Sequence, residues 1–416
     1  MIKSVKLTNF FSFKDDEIDL DSRVNLLVGI NGSGKSNFLK AFQLLKTGVE
    51  GNQDDNALFK LLVEEWGGFE NIYSSSETKG EHGNSIGLEF CFDGRALSTF
   101  GAFNFREDVV YKIEIIRQAG GSGYHVSESI RAKKEGGFIY LDFIHGAGKL
   151  SERSVPENGS ASQSSERSIR WVNYEGYNPQ ELVLSKISAL DKDKYLPLTV
   201  IKEAVKSIMV YNFFDTTPGS KMRRAASPTV LKQLLPDGSN LPQLLNRLNL
   251  LHKPEFRKAQ QILKDVNPNF SGFDFNILGG GFIELYLDET GLKRSVHVAH
   301  VSDGTLRFLC LLAILFNPER GRFICIDEPE IGLHPDMIFN ITSKIKEASD
   351  HTTFLISTHS PSILNAFKLD QIRVFEKNNA NETETFTYSE EDFEGWYEEF
   401  NPGAMWRAGD IGGKRW

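Results

Sequence analysis

The octapeptide Gly29-Ile30-Asn31-Gly32-Ser33-Gly34-Lys35-Ser36 constrains the fold of this chain more than any other feature. It matches the pattern G-x-x-x-x-G-K-[ST] completely. The apolar run at residues 24–28 predicts a buried strand before it, and the apolar spacing over residues 36–45 predicts a helix after it. A strand, a glycine-rich turn and a helix in this order predict a phosphate-binding loop in an α/β fold.

Each residue type in this loop has a chemical role in binding phosphate. Glycines let backbone N–H groups converge on phosphate oxygens without a side-chain clash. Lys35 would reach the β- and γ-phosphates of a nucleotide, and the Ser36 hydroxyl would ligate Mg²⁺. The N-terminal end of the following helix favours the negative charge. The predicted nucleotide-binding residues of the loop are Gly29, Asn31, Gly32, Ser33, Gly34, Lys35, Ser36 and Asn37.

A second motif with candidate functional residues is the apolar run at residues 323–326, which ends in Asp327-Glu328. Ligand sites of parallel sheets lie beyond the carboxyl ends of the strands, which predicts both carboxylates beside the phosphates. Asp327 would hold Mg²⁺, and Glu328 would orient and deprotonate an attacking water. A polar strand end with solvated acids is the ordinary alternative, and the phosphate loop earlier in the chain disfavours it.

Two further elements accompany these acids. Residues 301–305 precede an apolar helix and contain Ser302, Asp303 and Gly304, which are suited to a helix N-terminus that binds an anion. His359 follows the apolar run at residues 353–358, where a neutral imidazole can hydrogen-bond a γ-phosphate or the attacking water. Each element alone is more often structural, but their positions around Asp327 favour the functional interpretation.

These elements, in this order, resemble the head of an ABC-type ATPase. The octapeptide resembles Walker A, and residues 323–328 resemble Walker B. Residues 301–305 resemble a degenerate ABC signature, with Asp303 where the common form has glycine. Residues 330–335 resemble the D-loop, and His359 resembles the switch histidine.

Among ABC heads, the chain is most similar to the RecF/SMC-like group and its OLD-like relatives, which are often filed as AAA family ATPases. The stretches that carry this similarity are residues 7–13, 235–241 and 406–416. The chain departs from the family at Phe11, where a basic residue is common, and it has no assignable Q-loop glutamine, for which residues 66–72 are the plausible place. Heptads for coiled-coil arms are absent from the sequence, and the stretch after His359 is too short for a Toprim nuclease domain.

The resemblance implies an ABC-ATPase head, that is, a P-loop NTPase of the α/β class whose mixed sheet is flanked by helices, with an inserted helical lobe. We expect residues 1–175 to form the N-terminal part of the head, residues 176–265 the lobe and residues 266–416 the C-terminal part. The family architecture also implies a homodimer that sandwiches two ATP molecules. Ser302 and Gly304 of one subunit would then cap the γ-phosphate held by the other.

Local patterns add a coarse secondary structure. Residues 86–143 hold several β-rich runs, and residues 150–168 have the composition of a mobile surface loop. Residues 182–214 are expected to be largely helical. Residues 239–266 are also expected to be helical, with breaks at Pro242 and Pro254. The runs at 283–287 and 293–298 predict a hairpin.

Composition limits the class of protein. Of the 416 residues 40% are hydrophobic and 25% are charged, which is typical of a soluble globular protein. Cys91, Cys310 and Cys325 have no metal-ligand spacing and are expected to be reduced core residues. The chain starts without an apolar leader, and its longest apolar run has nine residues, too few to cross a bilayer. We therefore expect a cytoplasmic protein without membrane contact.

Three functions are compatible with these residues. The first is an ATP-driven dimeric switch that regulates a separate effector, such as a nuclease or toxin, in prokaryotic phage defence. The second is a RecF-like DNA-binding repair ATPase, although the formal charge of −9 means that nucleic acid would need a local basic face. Candidate basic clusters are Lys221, Arg223 and Arg224, and separately Arg131, Lys133 and Lys134. The third is a scaffold that binds ATP without hydrolysing it.

We expect Lys35→Ala to abolish nucleotide binding, because the lysine supplies the positive charge that the terminal phosphates require. Equilibrium binding of a fluorescent ATP analogue measures this. Undiminished affinity in Lys35→Ala would contradict the assignment of the phosphate loop.

Overall fold

The structure is a computed structural model that describes residues 1–51, 56–74, 85–118, 123–153, 169–189, 194–393 and 401–413. Its internal contacts divide the chain into two compact units. The first unit comprises residues 1–22, 29–208 and 375–386, and the second comprises residues 23–28, 209–374 and 387–416. These boundaries differ from the expected segments 1–175, 176–265 and 266–416. A functional division along those three segments stays a prediction.

The described strands are β1 Ile2–Phe10, β2 Phe13–Asp19, β3 Val24–Val28, β4 Ser85–Phe92, β5 Val109–Arg117, β6 Tyr124–Ala132, β7 Ile139–Ile144, β8 Ala147–Arg153, β9 Ile169–Tyr174, β10 Ile208–Tyr211, β11 Phe270–Ile277, β12 Ile283–Glu289, β13 Val296–His297, β14 Phe323–Asp327, β15 Thr353–Ser357, β16 Ile372–Lys377 and β17 Thr383–Thr387.

The described α-helices are α1 Lys35–Glu50, α2 Ala57–Phe59, α3 Phe69–Ile72, α4 Gly94–Leu97, α5 Leu196–Lys206, α6 Leu241–Leu251, α7 Lys253–Val266, α8 Asp303–Leu315, α9 Pro335–Ala348, α10 Pro361–Leu364 and α11 Pro402–Ala408. A π-helical segment covers Lys60–Glu65. Segments of 3₁₀ helix cover Ser98–Phe100, Val183–Ala189, Lys221–Arg223, Gly279–Gly281, Val298–His300, Leu369–Gln371 and Glu390–Phe393.

The first unit contains an antiparallel sheet of eight strands in the order β2-β1-β4-β5-β6-β7-β8-β9. Side chains along β5 alternate between buried and half-buried positions, which gives the sheet one apolar face and one polar face. Helix α1 buries Phe38 and Phe42, and the Phe42 ring lies 5.8 Å from that of Phe90 on β4. The predicted strands of residues 86–143 are confirmed.

The second unit contains a sheet in the order β10-β14-β15-β3-β16. Strands β14, β15, β3 and β16 are mutually parallel, and every residue of β3 and β15 is buried. Strands buried on both faces are typical of an α/β sheet covered by helices. An antiparallel sheet in the order β11-β12-β13 contains the predicted hairpin, whose second strand is shorter than expected. The α/β class is therefore confirmed.

Three local expectations are corrected. Residues 208–211 form β10 instead of helix, because a short, fully buried apolar run has the same hydrophobic pattern in either structure. The expected break at Pro242 is absent, because Pro242 lies in the first turn of α6, where its missing N–H needs no partner. The expected break near Pro254 is present: α6 ends at Leu251, and Pro254 lies in the first turn of α7. Residues 150–153 belong to β8, and the rest of the expected loop, residues 154–168, lies outside the described residues.

Two expectations about the apolar residues concern the cysteines and membrane spans. Cys91, Cys310 and Cys325 are free and buried, as predicted. In the part of the chain that the structure describes, no helix combines the length and the apolar character that a membrane span requires.

A buried carboxylate stabilises the far edge of the antiparallel sheet. Glu152 on β8 accepts hydrogen bonds from the hydroxyls of Tyr174 and Tyr195, and the ammonium group of Lys194 lies 2.7 Å from it. Burial alone would raise the pKa of Glu152, but Lys194 and the two hydroxyls outweigh it and lower the pKa to about 2. These partners allow β8 to place a carboxylate in the interior of the protein.

We expect Glu152→Gln to lower the free energy of unfolding by ~2–3 kcal/mol at pH 7. The lowered pKa means that ionised Glu152 contributes fully above the unfolded-state pKa near 4.5, and that the contribution is lost as the pH falls through about 2. Urea unfolding at pH 7 and pH 3.5 measures this, with Glu114→Gln on β5 as the control. A difference from wild type that stays constant between the two pH values would contradict the assignment.

Candidate nucleotide and catalytic site

The backbone of the phosphate loop adopts conformations that favour glycine. In the first unit, Gly32 has φ 81° and Gly34 has φ 113°, both in the left-handed region. A Cβ at Gly29 would lie 2.3 Å from Ser33 Oγ and 2.4 Å from the carbonyl oxygen of Phe375. The loop therefore turns too tightly for larger residues at these positions, as its predicted role requires.

The polar atoms of the loop fit a phosphate group. Lys35 begins α1, and its Nζ donates to the carbonyl oxygens of Gly29 and Ile30 at 2.8 and 3.1 Å. Ser33 Oγ is buried and has no hydrogen-bond partner among the described residues. A buried hydroxyl without a partner is costly, and a phosphate oxygen would satisfy it.

Three side chains support the loop from outside the octapeptide. Thr383 Oγ1 donates to the Ser33 carbonyl at 2.8 Å and lies 2.7 Å from Ser12 Oγ, whose hydroxyl can donate to it. Asn37 Nδ2 donates to the same Ser12 hydroxyl at 3.2 Å. The sequence predicted a role for Asn37, and Ser12 lies in the segment 7–13 that carries the family resemblance, but Thr383 was missed. No local pattern could reveal it, because it lies about 350 residues from the loop in sequence.

The position where the family often has a basic residue is occupied by Phe11, which has φ 51°. The Nζ of Lys40 on α1 lies 4.1 Å from the centre of the Phe11 ring and 5.8 Å from that of Trp66. Burial lowers the pKa of Lys40. The ammonium group of Lys40, which lies on α1, therefore supplies a positive charge beside Phe11.

In the second unit, strand pairing determines where the acidic residues lie. Asp327 is the last residue of β14 and pairs in register with Ser357, the last residue of β15. Ser357 Oγ donates a hydrogen bond to Asp327. The backbone N–H of Glu328 lies 3.1 Å from both the carbonyl and the hydroxyl oxygens of Ser357, and Glu328 has φ 46°. This left-handed conformation is uncommon outside glycine and is maintained by those bonds.

His359 lies against the carboxylate of Glu328. The distance between His359 Nε2 and Glu328 Oε1 is 3.1 Å, and each side chain is 32% exposed. A carboxylate and an imidazole at this separation can share a proton and position a water molecule. The structure therefore brings together the two residues predicted to be catalytic.

Glu330 holds the residues that lead to His359. Its Oε1 accepts from Thr358 Oγ1 at 2.7 Å and from the His359 backbone N–H at 2.8 Å. Burial raises the pKa of Glu330, and its Oε2 is buried without a hydrogen-bond partner among the described residues. The sequence analysis had placed Glu330 in the D-loop segment and had not anticipated this role beside the histidine.

The signature-like segment begins α8. Ser302 is the N-cap, and its Oγ accepts from the Thr305 N–H at 3.2 Å. A Cβ on Gly304 would lie 2.4 Å from the carbonyl oxygen of Gly332. Glycine at 304 therefore lets the first turn of α8 approach the backbone of the D-loop segment closely.

Arg223 is bound to the segment before α8 and is almost fully buried. It donates to the carbonyl oxygens of Thr216, Ala299 and Val301 at 2.9, 2.9 and 2.7 Å, and to the Asp303 carboxylate. This arginine was a candidate nucleic-acid contact in the sequence. Its donors are instead used within the protein, where they determine the course of the chain into the signature helix.

Arg307 links the same helix to the D-loop segment. Its Nη1 donates to the Ile331 carbonyl at 3.0 Å, and its guanidinium carbon lies 5.0 Å from the centre of the Phe213 ring. These residues line a cavity of about 100 Å³ that Asp327 and Glu328 also line. Within the second unit, the acids, the D-loop and the signature helix thus form one connected arrangement.

The metal ligands predicted from the sequence were Ser36 and Asp327, which belong to different units. Their joint role toward Mg²⁺ stays a prediction. Among the described residues, no group of three or more His, Cys, Asp or Glu side chains is arranged to hold a metal ion. Mg²⁺ that is bound mainly through substrate phosphates needs only one or two protein ligands, so the residues present are compatible with it.

Comparisons with known proteins agree with this geometry. A family model described as "AAA ATPase domain" matches residues 1–217, and another described as "AAA domain, putative AbiEii toxin, Type IV TA system" matches residues 161–365. The two matches together span both the phosphate loop and the Asp327-Glu328 strand end.

Three curated relatives carry names of nucleotide-hydrolysing proteins. The chain is 23% identical to an ATP/GTP phosphatase of Helicobacter pylori over 94% of this chain and 93% of the relative. It is 20% identical to the Retron Ec83 probable ATPase of Escherichia coli over 87% of this chain and 69% of the relative. Identity to the Retron Vc95 probable ATPase of Vibrio cholerae is 26%, and this match covers only 33% of this chain and 30% of the relative.

Solved structures share the fold. An Smc head bound to the C-terminal winged-helix domain of ScpA superposes with a TM-score of 0.59 at 14% identity, covering 94% of this chain and 99% of that chain. The Smc head with an extended coiled coil, bound to the C-terminal domain of ScpA derived from Pyrococcus furiosus, gives a TM-score of 0.57 at 13% identity. This match covers 96% of this chain and 98% of that chain. The predicted ABC-head fold is confirmed.

We expect Arg223→Met to lower the free energy of unfolding by ~2–4 kcal/mol and to slow ATP hydrolysis, because it leaves buried carbonyl oxygens and Asp303 without their donors. Chemical unfolding and a phosphate-release assay measure the two effects. The matched control is Arg224→Met, which removes an exposed neighbour whose guanidinium donates to the Gly219 carbonyl at 3.2 Å. Equal effects of the two substitutions would contradict the role of Arg223.

Proposed function

This chain belongs to the family of AAA ATPase domains, and on that premise we propose that it is an ATP-driven dimeric switch. In this proposal two copies close around bound ATP, slow hydrolysis releases them, and the closed state regulates a separate effector protein. The observation that carries the proposal is the 3.1 Å pair of Glu328 and His359 at the carboxyl ends of β14 and β15.

Hydrolysis needs a base and a group that senses the γ-phosphate. Glu328 accepts a proton from the attacking water, and His359 hydrogen-bonds to Glu328 and to the transferred phosphate. The Glu328 backbone N–H donates to Ser357 and the His359 backbone N–H donates to Glu330, and these bonds keep the two side chains oriented. A chain that used ATP only as a scaffold would not require this pairing.

The phosphate loop binds the substrate. Lys35 exchanges its bonds to the loop carbonyls for the β- and γ-phosphates, and Ser33 Oγ gains the acceptor that it lacks in the protein alone. Ser36 and Asp327 are the residues that would hold Mg²⁺, which supplies charge neutralisation of the phosphates when it is bound.

The proposed dimer follows from the single signature element of each chain. Ser302 and Asp303 are exposed, and Ile331 of the D-loop segment is 44% exposed. In the proposed closed state Ser302 and Gly304 meet the γ-phosphate held by the partner copy, and Arg307 transmits the position of the D-loop to the same helix. ATP then stabilises the closed state by binding both copies at once.

A role in prokaryotic phage defence is the biological part of the proposal. It is supported by the names of two relatives, which are retron probable ATPases, and by the toxin–antitoxin description of one family model. A nuclease or toxin is the expected class of effector.

We expect purified Glu328→Gln protein to change from monomer to dimer when Mg-ATP is added, because the variant binds ATP but cannot activate water. Light-scattering mass with and without Mg-ATP measures this. The control is the double variant Lys35→Ala/Glu328→Gln, which should stay monomeric. A monomer in saturating Mg-ATP, with binding of the nucleotide verified, would contradict the switch.

A further inference from the structure

We infer that the first unit carries a second binding site, separate from the nucleotide loop, which takes single-stranded nucleic acid. The site begins at an open cleft of about 640 Å³. Four segments form the cleft: the start of β1, the end of β4 with α4, the loop before β5 and the turn between β6 and β7. Clefts of this size accommodate a few nucleotide-sized groups.

The ion pairs of the cleft leave an excess of positive charge. Lys3 lies 3.0 Å from Asp93 and 2.9 Å from Asp108, and its single charge offsets one of these two carboxylates. The five cations and three carboxylates that line the cleft therefore leave a net charge of about +2. Lys134 lies 3.9 Å from Glu107, the third acidic residue of the cleft.

Three exposed cations of the cleft remain: Arg95, Arg106 and Lys133. Within the described ranges, no carboxylate lies within ion-pair distance of any of them. The charge of the whole chain is −9, so this local excess is opposite in sign to that of the protein. A cleft lined by one sign of charge concentrates ligands of the other sign, and a row of phosphates is the ligand that several separated cations match.

Aromatic rings lead away from the cleft. Phe105, which lines it, lies 5.7 Å from Tyr140, and Tyr140 lies 4.9 Å from Phe138. Phe138 stacks on Trp171 at 5.6 Å with an angle of 22° between the rings. Trp171 is 42% exposed, and Lys149 Nζ lies 5.1 Å from its centre. The row therefore ends in an exposed platform with a cation beside it.

Phosphate-binding cations next to an exposed aromatic platform favour single strands over duplexes. In a single strand the bases are free to stack on aromatic side chains, whereas in a duplex they are already stacked on one another. A small anion would use the cleft but would gain nothing from Trp171. DNA and RNA share the phosphates and the bases, so both are included in the site's ligand class.

The test is fluorescence anisotropy of full-length protein with labelled single strands of 20 deoxythymidines or 20 uridines, and with a duplex of equal length, across a salt series. We expect both single strands to bind more tightly than the duplex. The triple variant Arg95→Ala/Arg106→Ala/Lys133→Ala should weaken binding of the single strands at least tenfold. It should also make the dependence of log affinity on log salt shallower by about 2, since each lost phosphate contact of a single strand contributes about 0.7.

Matched variants test whether this site, rather than positive charge anywhere on the protein, binds the strands. Arg257→Ala/Lys264→Ala/Lys293→Ala removes three exposed cations of the second unit and should leave affinity within twofold. Trp171→Ala should weaken binding about fivefold or more without changing the salt dependence, and Trp171→Phe should restore most of it. Lys35→Ala should bind the strands normally, which distinguishes this site from the nucleotide loop.

Three outcomes would overturn the inference. They are equal losses in the two triple variants, equal affinity for duplex and single strand combined with no effect of Trp171→Ala, and absence of binding by wild-type protein at low salt. If wild-type protein does not bind the strands at low salt, an acidic protein segment becomes the alternative ligand for the cleft.

Discussion

The parallel pairing of β14, β15 and β3 is the constraint on which the catalytic half of this molecule depends. Parallel strands end at the same edge of a sheet, so the register that joins Asp327 to Ser357 also brings Glu328 and His359 together. The backbone bonds from Glu328 to Ser357 then hold a left-handed residue that would otherwise be strained. Catalytic geometry is thus a consequence of strand register rather than of contacts among the side chains alone.

The signature helix is held at its start by two arginines with different tasks. Arg223 binds the start of α8 and the segment before it through the carbonyl oxygens of Ala299 and Val301 and through Asp303. Arg307 binds the D-loop through Ile331. The close approach of Gly304 to Gly332 joins the same two segments by backbone contact. The D-loop segment and α8 are therefore joined by a side-chain hydrogen bond and by close backbone contact.

Much of the fold and of the candidate site was predictable, because the signals were local. The phosphate loop, the strand end at Asp327-Glu328 and the N-cap at Ser302 each depend on a few consecutive residues. Predictions failed where local patterns are degenerate or misleading. The buried run of β10 has no periodicity that distinguishes strand from helix, and the polar β8 is stabilised by Lys194 and by tyrosines outside its own strand.

The sequence by itself determined the class of fold and predicted the phosphate loop, the acid and the histidine, since these signals depend on spacing along the chain. Only the tertiary structure decided that Thr383 supports the loop, that Glu330 orients His359 and that Arg223 is structural instead of free for nucleic acid. It also decided which cations of the cleft keep an unbalanced charge. The physical reason is that hydrogen bonds and ion pairs depend on distance in space, and these partners lie from 29 to 350 residues apart in sequence.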